Sequence, residues 1–187
     1  MQKRDFQKFI TAVQASFTRT FNPSQTTGLQ NLITYLEQDA NMTDLRWCAY
    51  ALATCYWETG RTFQPIQENG HGAGHKYGIP DPVTHQVYFG RGDVQLTWLD
   101  NYKTFSKLLS VDLVNHPDLA DDPKIAYEIM SLGMRKGLFT GVSLGHYFND
   151  TTNDAVNARK IINGLDQANT IAGFYTNILR ALQGSLV

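Results

Sequence analysis

The chain has 187 residues, 16 basic and 17 acidic side chains and a formal net charge of −1. That length fits one domain, or one domain with two lobes, and the balanced charge gives no footprint for a nucleic-acid partner. Hydrophobic residues at 42% suffice for a core, no run reaches the roughly 18 apolar residues of a membrane span, and the basic pair Lys3-Arg4 is followed by no apolar core of signal-peptide length.

Phe6, Phe9, Ile10 and Val13 recur at helical spacing and predict a first helix over residues 4–17. Asn22-Pro23-Ser24 marks a turn and a helix start, and Leu29, Leu32, Ile33 and Leu36 form the apolar stripe of a second helix that runs to about residue 38. Thr43 is the expected N-cap of a third, with Asp44 in its first turn. That helix carries Leu45, Trp47, Cys48, Ala49, Ala51, Leu52, Ala53 and Cys55, so it is apolar nearly all round and belongs at the centre. Cys48 and Cys55 are separated along it by a rise of about 10 Å, too far for a disulfide. Two buried free thiols are expected, consistent with synthesis in a reducing compartment.

Glu58 ends this helix. A helix C-terminus disfavours an anion and so does burial, so both favour the protonated acid. A purely structural acid belongs at an N-terminus instead. The other reading is a surface glutamate at a frayed helix end.

Residues 60–93 break the helical pattern with glycines at 60, 70, 72, 74, 78, 90 and 92 and prolines at 65, 80 and 82. They predict a long irregular lobe with a small, short-stranded sheet and a turn at Asp81-Pro82-Val83-Thr84-His85. Helical patterning returns over 98–109. Asn115-His116-Pro117-Asp118 is a loop, Asp121 or Asp122 caps a helix with Pro123 in its first turn, and that helix reaches about residue 136. A short helix over 143–148 and two more over 154–162 and 167–182, separated by Asn163-Gly164, complete a mainly helical chain with no linker or repeat.

Glycoside hydrolysis uses two carboxyl groups, one giving a proton to the leaving sugar and one activating water or attacking the ring. Glu58 suits the first role. Glu68, where the irregular lobe begins, is the best second carboxylate, with Asp81 and Asp93 as rivals and a simple turn residue as the alternative. A gap of roughly 6.5–9.5 Å between the two acids implies inversion. Arg91, between two glycines, is expected to pin the lobe to a carboxylate rather than act in catalysis. If the backbone is extended there, Gln95 and Thr97 share a face, and Asn101 joins it from the next helix. Amides and a hydroxyl suit sugar hydroxyls, N-acetyl groups or a held water, although Thr97 also suits a helix cap. His71, His75 and His85 invite a metal, but Gly72 and Gly74 argue against a ligand pair on a helix, so no metal or cofactor is expected. Neither a Gly-x-Ser-x-Gly elbow nor a Walker-type phosphate loop is present, which argues against a serine hydrolase or an NTPase.

Glu58-Thr59-Gly60, Tyr88-Phe89-Gly90-Arg91-Gly92, Gln95-Leu96-Thr97, Asn101-Tyr102 and Ile161-Ile162-Asn163-Gly164 together resemble glycoside hydrolase family 19, over roughly residues 45–183. That family includes plant and bacterial chitinases and bacteriophage endolysins, and the stretches 135–141 and 157–164 look like the endolysin branch. The resemblance implies an α+β, mainly α, lysozyme-like fold, with a helical lobe and a small irregular lobe flanking a cleft, and an inverting mechanism. It makes Glu58 the general acid and Glu68 the base, as in short endolysin-like members. Gln95, Thr97 and Asn101 bind sugar or position the catalytic water. Asn163 binds substrate, and Tyr88, Arg91 and Arg159 are placed with it. Plant members carry an arginine near the position of Ile171 and a glutamate near Asp166; Arg159 is the candidate replacement for the missing charge. Their disulfides are absent.

The implied protein is a single-domain endolysin over residues 1–187, without a separate cell-wall-binding domain, that hydrolyses the β-1,4 bonds of peptidoglycan. It is expected to be a monomer without stable membrane insertion, made in the host cytoplasm and released by a holin to act on the wall from the periplasm. The alternatives are a chitinase, a lytic transglycosylase, and a sugar-binding module without activity.

Overall fold

A computed structural model describes residues 1–187. Seven α-helices carry the fold: α1 (Phe6–Ser16), α2 (Pro23–Gln38), α3 (Leu45–Glu58), α4 (Leu99–Leu109), α5 (Pro123–Lys136), α6 (Leu144–Tyr147) and α7 (Ala168–Gly184). Between α3 and α4, two short strands, β1 (Ile66–Gln67) and β2 (Arg91–Gly92), pair antiparallel with Ile66 opposite Gly92 and Gln67 opposite Arg91. This is the expected mainly helical body with a small short-stranded lobe.

The caps explain where the helices start. Asn22 accepts from the Gln25 N–H, and the Gln25 side chain accepts in return from the Asn22 N–H, with Pro23 at the first helical position. The cap of α3 is Asp44 rather than Thr43: its carboxylate accepts from the Arg46 N–H and also ion-pairs the Arg46 guanidinium, which a threonine hydroxyl cannot do. Asp122 caps α5, and Gly137 ends it in the left-handed conformation at φ 69°. Residues 154–162 do not form a full helix. The Asp154 carboxylate takes both the backbone N–H and the side-chain amide of Asn157, and the chain makes only a 3-10 turn over Asn157–Ile161.

The core is centred on α3, whose residues from Cys48 to Tyr56 are all buried. It lies against α7, which also receives α1. Phe17, Phe21, Tyr56, Phe63 and Phe174 close one end, with the Tyr56 and Phe63 rings stacked at 4.6 Å. Both cysteines are free and buried, and burial pushes the Cys48 thiol up to about 12. Leu52 is fully buried, and a side chain of that kind contributes roughly 1.5–3 kcal/mol by leaving water.

The lobe hangs on the β1–β2 ladder, which Glu68 extends by donating its N–H to the Gly90 carbonyl at 2.8 Å. A tight crossing shapes its tip: a Cβ on Gly78 would lie 1.9 Å from the Gly72 carbonyl oxygen. No helix is long and apolar enough to cross a membrane.

Candidate active site

Glu58 is the last residue of α3, and Thr59 fastens this helix end to the lobe by donating to the Cys55 carbonyl and accepting from the Phe63 N–H. The helix end and burial are not the only influences on this carboxylate, because Arg159, the candidate replacement charge, reaches it. Arg159 Nη1 donates to Glu58 Oε1 at 2.5 Å, and the two side chains are only 3% and 15% exposed. Arg159 is fixed in turn by its Nε donating to the Asp166 carbonyl at 3.0 Å. The 3-10 turn before α7 therefore delivers a cation to the end of the central helix. Asn163, just past that turn, is exposed, and its side-chain oxygen accepts from the Gly164 N–H.

Glu68 sits half-buried at the end of β1 with both oxygens engaged. Oε1 accepts from the Tyr77 hydroxyl at 2.8 Å and Oε2 from the Gly90 N–H at 3.1 Å. Two donors from different directions fix the plane of the carboxylate. Burial, then the hydrogen bond to Glu68, pushes the Tyr77 phenol up, so it stays a donor. Tyr77 escaped the sequence reading because it lies in a glycine-rich stretch without periodicity. The neighbouring histidines are ring partners: His75 stacks on Tyr77 at 4.9 Å and His71 on Phe89 at 4.6 Å.

Gln95, Thr97 and Asn101 form a relay of side-chain to backbone bonds rather than a face of an extended strand. Gln95 has φ 57°, because Leu96 turns back to pair with Arg91. Its amide donates to the Ile66 carbonyl at 3.0 Å, Thr97 Oγ1 donates to the Gln95 carbonyl at 2.9 Å, and Asn101 Nδ2 to the Thr97 carbonyl at 2.8 Å. The relay ties the start of α4 to β1 and leaves acceptor oxygens on these half-buried side chains. The cap of α4 is Trp98, not Thr97. Trp98 is 49% exposed, has φ 74°, and meets the Tyr77 ring edge-on at 5.2 Å.

Arg91 and Tyr88 belong to the frame beneath the lobe, which bears out the expected pinning of the lobe to a carboxylate by Arg91 and corrects the placement of both among substrate-binding residues. Arg91 is 4% exposed. Its guanidinium lies 3.6 Å over the Phe89 ring and donates to Asp118, to the Val87 carbonyl and to the Tyr102 hydroxyl. The buried Tyr88 hydroxyl donates to the Val114 carbonyl and shares a hydrogen bond with Thr84. The rival carboxylates are placed elsewhere. Asp81 is held low by the N–H groups of Thr84 and Val83 in its own turn. Asp93 is 1% exposed, neither oxygen receives a hydrogen bond, and burial pushes it up to about 7 with the Cys55 thiol beside it. A cavity of about 600 Å³ between α2, α4 and α5 holds neither Glu58 nor Glu68. Asp39 on its wall is already saturated by Ser131, Tyr127 and Asn41, a tie between helices.

Chitinase class I, the glycoside hydrolase family 19 model, matches residues 3–136. Endochitinase 2 of Gossypium hirsutum is 29% identical over 134 residues, 66% of this chain and 41% of the relative. Endochitinase 1 of Theobroma cacao is 52% identical over 42 residues, 22% of this chain and 13% of the relative. The chain thus spans less than half the length of these relatives. In fold it is similar to chitinase C from Streptomyces griseus, with TM-score 0.63 and 22% identity over 97% of this chain and 78% of that one. It is also similar to a class IV chitinase from Zea mays, with TM-score 0.55 and 14% identity over 94% and 92% of the two chains. The solved chitinases share the lysozyme-like, mainly helical architecture described above, and the family model covers well over half of the sequence: the chain belongs to glycoside hydrolase family 19.

Proposed function

We propose that the chain is an inverting glycoside hydrolase that cuts β-1,4 bonds beside N-acetylglucosamine. Glu58 in its protonated form gives the proton to the bridging oxygen, and the Arg159 guanidinium, which pairs with the ionised form, stabilises the carboxylate left behind. Glu68 takes a proton from a water that attacks the anomeric carbon from the opposite face, so the C–O bond breaks with inversion. Thr97 and Asn101 offer acceptors to that water or to the sugar. The observation that carries this reading is the unequal support of the two acids. One sits on the central helix against a buried cation, and the other is held in plane by a phenol and a backbone N–H.

The relatives named endochitinases favour chitin as the polymer. Peptidoglycan is the second reading, favoured by the endolysin-like stretches 135–141 and 157–164; under it the protein is a monomer that reaches the wall after a holin opens the membrane. The test is parallel digestion of chitin oligomers and purified sacculi, with the anomer of the fresh product read by NMR and the fragments by mass spectrometry. An α-anomer supports direct displacement by water. A β-anomer refutes it, and an anhydro sugar identifies a lytic transglycosylase instead.

A further inference from the structure

Arg19 and Arg61 open onto one concavity of about 460 Å³ beside the C-terminal end of α3, with Trp57 on its wall. The same two arginines also line a second hollow of about 390 Å³, together with Phe17, Tyr56 and Phe174. No acidic residue lines either hollow, and neither arginine enters an ion pair.

Both arginines are exposed, and each guanidinium has one aromatic neighbour. Arg61 has φ 71°, a left-handed backbone that a side chain of this size rarely adopts. The conformation is enforced from both sides: its N–H donates to the Tyr56 carbonyl at 2.7 Å, and its carbonyl accepts from the buried Gln25 amide at 2.8 Å. The Arg61 guanidinium packs 5.6 Å over the Trp57 ring, and Arg19 donates to the Tyr56 hydroxyl at 3.4 Å. A strained backbone locked in place fixes where its side chain leaves the surface.

Two uncompensated guanidiniums above an aromatic floor select a planar anion attached to apolar and amide surface, which describes a peptide carboxylate. A polyphosphate backbone asks for a longer run of cations than this pair. Chitin has no anion to offer. We propose that the Arg19–Arg61 hollow binds a carboxylate of a peptide branch carried by the glycan, so that the substrate at Glu58 is a peptide-bearing β-1,4 glycan. The inference rests on the peptidoglycan reading of the same active site, and it adds a binding element outside the catalytic groups.

The test uses the full chain and its Arg19→Gln, Arg61→Asn double variant; asparagine tolerates the left-handed backbone and so spares the fold. Each is assayed on intact sacculi and on glycan strands freed of peptide by an amidase. The expected result is a rise in KM on sacculi of about tenfold with kcat unchanged, and no change on stripped strands. The advantage of sacculi over stripped strands with the unaltered chain should also shrink as salt is added. Should the double variant fail to fold, competitive inhibition of the unaltered chain by free stem tripeptide gives the same information, and absence of inhibition counts against the site. Equal KM values for both proteins on sacculi overturn the inference while leaving the peptidoglycan reading intact. If the unaltered chain cuts chitin oligomers but neither peptidoglycan substrate, the reading itself falls and takes the inference with it.

Discussion

Arg159 reaches Glu58 across 101 positions of sequence to make an ion pair in which both side chains are largely withdrawn from water. The contact joins the end of the central helix to the turn that precedes α7, so it ties two parts of the body together whatever else it does.

Replacing Arg159 by methionine removes the cation but keeps much of the volume. The expected outcome is a fall in kcat of about 100-fold and a loss of stability of up to about 3 kcal/mol, less than for a fully buried pair because Glu58 keeps some solvent contact. Glu58→Gln retains an acceptor but leaves the buried guanidinium without its anion, so it too should cost up to about 3 kcal/mol of stability, while kcat drops by roughly 10²–10⁴. Turnover of chitin oligomers and thermal denaturation check both.

Tyr77→Phe removes one hydroxyl and keeps the ring against Trp98 and His75. With Glu68 then held by the Gly90 N–H alone, kcat should fall about tenfold, the size expected for one hydrogen bond to a charged group. KM should barely move. A rise in KM with unchanged kcat would show instead that the tyrosine holds sugar and not the carboxylate.

Asp93 makes stability depend on pH in an unusual direction. Its folded-state value of about 7 lies above the ordinary 3.8, so the native state holds this proton more tightly than the unfolded chain does. The favourable contribution is present below about pH 4, is lost between about pH 4 and 7, and is absent above, a span worth on the order of 4 kcal/mol. Asp93→Asn should remove this slope and raise the melting temperature at pH 8. Urea melts of both proteins across that range decide the matter.

Gly78→Ala places a methyl group against the backbone of Gly72, which has nowhere to go. The expected cost is about 3 kcal/mol or enough distortion of the lobe to misplace Tyr77. Gly164→Ala meets nothing within 4 Å and should stay within about 0.5 kcal/mol of the unaltered chain. Paired urea melts and rates separate the two cases.

The helices were legible because their signals are local. Asn22-Pro23 with Gln25 caps α2, and the unbroken apolar surface of α3 leaves it nowhere but the centre. The motif residues marked Glu58 and Glu68. The resemblance pointed to Arg159 as the charge beside the acid, and it does pair with Glu58, but the tyrosine that supports Glu68 was not legible, because no local pattern links residue 68 to a residue nine positions later in a glycine-rich stretch. Gln95 and Asp93 take their positions for one shared reason. The left-handed turns at Gly92 and Gln95 fold the segment back on itself, sending the carboxylate inward and the amide onto β1. The extended reading took the alternation of residues at face value and lacked those two turns.

The ladder between β1 and β2 is two residue pairs long, whereas Glu58 ends a helix buried over most of its length. The molecule is thus a vice with one jaw set in the casting and the other mounted on a short clip. On the proposed reading, sequence change between residues 60 and 98 can shift the Glu68 side of the site while Glu58 stays where the central helix holds it.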